Sequence, residues 1–141
     1  MKKNIELKIS SKFTYYNEIV DNIDYQGKGI LYEKNKAIYL IYEEKTKGLK
    51  GIKTAIKIYP DEKKLILSRS AIIALHFVFA EDNKNLSYYQ TTEGKIFFDI
   101  KTHKIVFEID NYKGKILLDY SLFQSGEKLL SNKLQINYKI L

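Results

Sequence analysis

The sequence predicts an all-β fold, a single closed antiparallel barrel of about 8 to 10 strands in up-and-down (meander) order. Three observations lead there. Apolar and polar residues alternate with period two along much of the chain, the signature of half-buried strands. Turn-forming clusters interrupt these runs at short intervals. Nothing between them is long enough for a crossover helix or for the return connection of a Greek-key sandwich, which is the alternative architecture.

In chain order, Ile5, Leu7 and Ile9 share one face and Glu6 and Lys8 the other. A helix remains an option only around 11–22 and 71–80, and the second stretch is rich in β-branched and aromatic residues that favour a strand. The "GKG" at 27–29 is too short for a phosphate loop and marks a place where a strand bends. "EKNK" (33–36) and "KGLKG" (47–51) are turns, after which Ile52, Thr54, Ile56 and Ile58 oppose Lys53 and Lys57. "YPDEKK" (59–64) carries Pro60, the one proline, whose fixed φ suits a turn. "EDNKN" (81–85) and "TEGK" (92–95) are further turns. Ile96, Phe98 and Ile100 make a strand, "KTHK" (101–104) a turn, and Ile105, Phe107 and Ile109 the next strand. "NYKGK" (111–115) leads into Ile116, Leu118, Tyr120 and Leu122, and "QSGEK" (124–128) leads into Leu134, Ile136, Tyr138 and Ile140. Strands in simple succession leave open edges unless the sheet closes, and closure is what favours a barrel.

The 141 residues are 45% hydrophobic and 29% charged, ordinary for a globular protein, and read as one domain, 1–141. No window approaches the ~20 apolar residues of a transmembrane helix. "MKKNIELKIS" has no apolar stretch behind its lysines, so a secretory signal is not expected. There is no cysteine, hence no disulfide framework and no thiolate chemistry, and a cytoplasmic location is the expectation. The net charge of +7 comes from lysines scattered among acids. The exception is "KTKGLKGIKTAIK" (45–57), where Lys45, Lys47, Lys50, Lys53 and Lys57 occur without an acid. Solvated surface charge accounts for this run. The alternative is an outer patch that binds nucleic acid or an acidic protein partner. The lack of arginine and of an aromatic-basic RNA-recognition strand counts against nucleic acid.

Four segments, "GKGILYEKNKAIYLIYEE", "GIKTAIKIYPDEKKLILSRSA", "YYQTTEGKIFFDIKTHKI" and "GKILLDYSL…LQINYKI", resemble in that order the YwiB-like family of bacterial proteins. The resemblance spans about residues 5–140. It implies a small cytoplasmic domain of unknown function with a lipocalin-like (calycin) barrel, and it carries no catalytic residues. Its best-marked positions are the Arg69 segment and the "YQTTEGKI" turn. The chain departs from the family pattern at Ala71, where a glycine is expected, and at Leu75, where a methionine is expected.

Arg69 is the only arginine among 24 basic residues. It has the parity of Leu65, Leu67 and Ala71, so a regular strand aims it into the barrel. A buried guanidinium needs a partner. Either it pairs with an interior acid or with carbonyls at one barrel end, or its planar fork clamps the carboxylate or phosphate of a ligand. Tyr42, Tyr120 and Tyr138 share parity with inward aliphatics, and their hydroxyls then need interior partners. These four residues outline a candidate site for a small amphipathic or anionic ligand, bound without catalysis and without a cofactor. His76, flanked by Ala74 and Val78 on its face, and His103, in the predicted turn, make no metal motif. Asp99 and Glu108, on predicted neighbouring strands, point outward. With no Gly-x-Ser-x-Gly or His-Glu-x-x-His, no hydrolytic constellation is expected.

Overall fold

Successive side chains of a strand face opposite sides of its sheet, and in the computed structural model the period-two pattern becomes ten strands. The structure describes residues 2–16, 18–45, 48–69, 74–81 and 84–141. The strands are β1 (Lys2–Tyr15), β2 (Glu18–Lys34), β3 (Ala37–Glu43), β4 (Lys53–Tyr59), β5 (Lys64–Arg69), β6 (Leu75–Ala80), β7 (Lys84–Thr91), β8 (Gly94–Ile109), β9 (Lys113–Gln124) and β10 (Glu127–Ile140). A 3-10 turn at Pro60–Glu62 follows β4. Each strand pairs antiparallel with its sequence neighbour, and β1 also pairs with β10, so the meander closes into a barrel. No helix among the described residues is long and apolar enough to cross a membrane.

Several local expectations change. "KTHK" is not a turn. β8 runs through it unbroken for 16 residues. The register with β9 slips between Thr102 and Lys104, which makes His103 the extra residue of a bulge. Beside the bulge, Glu81 Oε1 accepts the backbone N–H of Ile105 at 3.2 Å. Asp99 and Glu108 therefore lie on one strand, not on neighbours. Residues 11–15 and 18–22 belong to the β1–β2 hairpin and not to a helix, and 75–80 are β6. Lys84 and Asn85 of the "EDNKN" turn are already in β7. The remainder of that turn at 82–83, and residues 71–73 with Ala71, lie outside the described residues.

The lumen is filled by side chains. Ile5, Leu7, Leu40, Ile56, Ile58 and Phe79 have no solvent exposure, and each such side chain contributes about 1.5–3 kcal/mol when fully buried. The register places Tyr42, Thr54 and Arg69 in one inward row across β3, β4 and β5. Two glycines let the wall close tightly. A Cβ on Gly29 would stand 2.7 Å from the Ile41 carbonyl oxygen, and a Cβ on Gly114 would overlap the ring of Tyr138, its direct partner on β10.

Candidate functional site

β3 ends at Glu43, and the next residue keeps the inward parity of Tyr42. The Glu44 backbone N–H donates to the Ile52 carbonyl at 2.8 Å, which holds the β3–β4 connection against the barrel end. From there the Glu44 carboxylate meets two groups of the inward row. Thr54 Oγ1 donates to Glu44 Oε1 at 2.8 Å, and Arg69 Nη1 lies 4.0 Å from the same oxygen. The pair is desolvated, with the Arg69 and Glu44 side chains only 6% and 13% exposed. The guanidinium also stands 6.0 Å from the centre of the Tyr89 ring. Tyr42 completes the group: its hydroxyl bonds with Thr54 and Glu44, and its phenol pKa is held well above the ordinary value, first by burial and then by the Glu44 charge. The Tyr25 ring packs on it at 4.8 Å.

The other two candidate tyrosines do not join this cluster. Tyr120 accepts a hydrogen bond from Asn132 Nδ2 at 2.7 Å and packs edge-on against Phe79 at 4.7 Å. Burial pushes its pKa up to about 12. Tyr138 lies over Gly114 on β9, and its pKa is pushed up to about 12 by burial, then by Glu33 and Asp110. Both belong to the buried core. Of the four candidate residues, the structure brings together Arg69 and Tyr42.

The lysine run separates as well. Lys45 Nζ donates to the Gln26 carbonyl at 2.6 Å and sits 5.4 Å from the Tyr25 ring centre. Lys50 is exposed in the following turn. Lys53 stands opposite Glu43, and Lys57 lies between Tyr39 and Ile66. Lys47 lies outside the described residues. A cleft of about 960 Å³ opens where the β3–β4 connection meets β2, lined among others by Tyr25, Lys28, Glu43, Glu44, Lys45 and Lys50. Glu44 thus touches the cleft on one side and Arg69 on the other. Sequence inspection missed Glu44, Thr54 and Tyr25 as a unit. The available signal was the Glu43–Glu44 doublet, one member of which must share the inward parity of Tyr42.

One polar chain on the outer face involves His103. Its Nε2 lies 2.8 Å from Ser121 Oγ, which lies 2.8 Å from Ser131 Oγ. Ser121 is 1% exposed, so its hydroxyl is closed to a substrate, and among the described residues no acid hydrogen-bonds the imidazole. A nucleophile needs access and an oriented base, so this chain ties the β8 bulge to β9 and β10. His76 faces outward and stacks on Tyr88 at 5.8 Å. No group of three or more His, Cys, Asp or Glu residues suited to a metal ion occurs among the described residues.

Residues 7–136 match the family described as a domain of unknown function, DUF1934. The chain is 24% identical over 117 residues to the uncharacterised beta-barrel protein YwiB of Bacillus subtilis, covering 83% of this chain and 80% of that one. It superposes on the crystal structure of the ywiB protein from Bacillus subtilis with a TM-score of 0.85 at 22% identity, over 99% of this chain and 93% of the other.

Proposed function

The chain belongs to the DUF1934 family, a domain of unknown function, and on that footing we propose that it is a non-enzymatic binding barrel for a small anionic or amphipathic ligand. The observation that supports this most is the cleft of about 960 Å³ beside Tyr25. Lys28, Lys45 and Lys50 offer ammonium groups around an aromatic face, beside the carboxylates of Glu6 and Glu43, while Glu44 at the back is held by Thr54 and Arg69. Among the described residues buried apolar side chains occupy the lumen, so the ligand is assigned to this flank cleft and not to the barrel axis. Arg69 then acts through Glu44: it offsets a carboxylate that would otherwise repel an anion, and the lysines make the direct contacts.

Native mass spectrometry of freshly purified protein should show a retained small-molecule mass. The anionic amphipath anilinonaphthalene sulfonate should bind, and a Lys45→Ala/Lys50→Ala variant should lose about tenfold or more in affinity, since hydrogen bonds to charged groups are worth ~1.5–3 kcal/mol. Absence of any retained mass, together with equal probe binding by the variant, refutes the proposal.

A further inference from the structure

The edge of β2 from Glu18 to Asp24 differs from the rest of the sheet. β1 occupies one side of it, in a register running from Tyr15 opposite Glu18 to Ser10 opposite Asp24. β3 begins to pair with β2 only at Gly29. Near Tyr25 the free side is covered: the Tyr25 hydroxyl donates to the Glu43 carbonyl at 3.1 Å, and Lys45 donates to the Gln26 carbonyl at 2.6 Å. From Glu18 to Asp24 no backbone partner occupies that side among the described residues. An open strand edge is a template for another strand, and this one extends for about 23 Å at ~3.3 Å per residue.

Its chemistry selects the partner. Within a protein of net charge +7, the segment "EIVDNID" carries Glu18, Asp21 and Asp24 and no base. The cations nearest on β1 are Lys12, opposite Asn22, and Lys8, opposite Gln26. Among the described residues none of the three carboxylates is in an ion pair. The register with β1 slips between Phe13 and Thr14, so Ile23 shares a face with Asp21 while Ile19 lies on the other face; the two are 51% and 54% exposed. Two copies pairing symmetrically about Asp21 would set Asp21 against Asp21 and Glu18 against Asp24, and like charges directly opposed destabilise a ladder. The acids therefore discourage self-pairing while favouring a basic strand.

We propose that Glu18–Asp24 is a strand-addition site for an extended, lysine-rich segment of a partner protein. Main-chain hydrogen bonds supply the docking, apolar side chains rest on Ile23 on one face and Ile19 on the other, and ammonium groups meet Glu18, Asp21 and Asp24. The test uses the full chain and a blocked peptide of alternating lysine and valine. Hydrogen exchange followed by NMR should show the outward amides of residues 18–24 slowed tenfold or more at saturation. Affinity should fall at least tenfold for a glutamate–valine peptide, for a lysine–valine peptide with alternate N-methylated amides, and for Asp21→Lys/Asp24→Lys. The proposal is overturned by unchanged exchange in 18–24 or by equal binding of the N-methylated peptide, which would leave charge attraction alone. It is equally overturned if the protein by itself is a dimer with those amides protected, because a second copy then holds the edge.

Discussion

Arg69→Leu tests the cluster at the barrel end most directly. The substitution removes the cation while leaving Glu44 13% exposed, with the Thr54 hydroxyl at 2.8 Å and the Tyr42 hydroxyl as its remaining partners. At 4 Å and an effective dielectric near 20, the lost attraction is of order 4 kcal/mol. Stranding one member of a buried pair typically costs about 3–5 kcal/mol, so the two figures agree. In a domain of this size each kcal/mol shifts the midpoint by roughly 2–4 °C, so a drop of about 10 °C is expected. Urea and thermal unfolding followed by circular dichroism and by tyrosine fluorescence suit a chain with 12 tyrosines and no tryptophan. Arg69→Leu combined with Glu44→Leu should recover most of the loss, since replacing both members of a buried pair by apolar groups is often neutral or stabilising. A single-variant loss within about 1 kcal/mol, or a double variant that is simply additive, would refute the reasoning, because contacting residues should couple by ~0.5–3 kcal/mol.

Tyr120→Phe strands the buried Asn132 amide and should cost about 1–3 kcal/mol in urea unfolding, while Tyr120→Phe/Asn132→Leu should be nearly neutral. Gly114→Ala forces its new methyl into the Tyr138 ring and should cost about 1–3 kcal/mol, a loss relieved when Tyr138→Leu is added. At alkaline pH the unfolded phenols ionise near 10, whereas Tyr120 and Tyr138 are held near about 12 in the fold. Stability present below pH ~10 should therefore fall as pH rises toward those folded values. Phenolate absorbance should show these tyrosines ionising together with unfolding. Asp110 has the opposite sign. The Tyr112 and Lys113 N–H groups donate to it at 2.7 and 2.9 Å and lower its pKa. Its contribution is present above the unfolded value of ~3.9 and is lost as pH falls through the depressed folded value. Asp110→Asn should flatten that acid limb in stability-versus-pH curves.

Side-chain parity is local, and the sequence alone determined it. Alternation placed Arg69, Tyr42, Tyr120 and Tyr138 inside, and the short spacing of turns determined that neighbouring strands would pair and close. Which inward residues meet is decided by register and barrel height, and these depend on hydrogen bonds between segments distant in the chain. Thr54 opposite both Tyr42 and Arg69 drew Arg69 toward Glu44, while Tyr138 settled over Gly114 and Tyr120 against Phe79. The bulge at His103 was hidden for the same reason. A polar "KTHK" reads as a turn until β9 and Glu81 supply partners on either side of it. The open stretch of β2 is likewise a property of closure. It exists because β3 pairs only with Gly29–Lys34 of a strand that begins at Glu18, and no local pattern of residues encodes where a neighbouring strand stops.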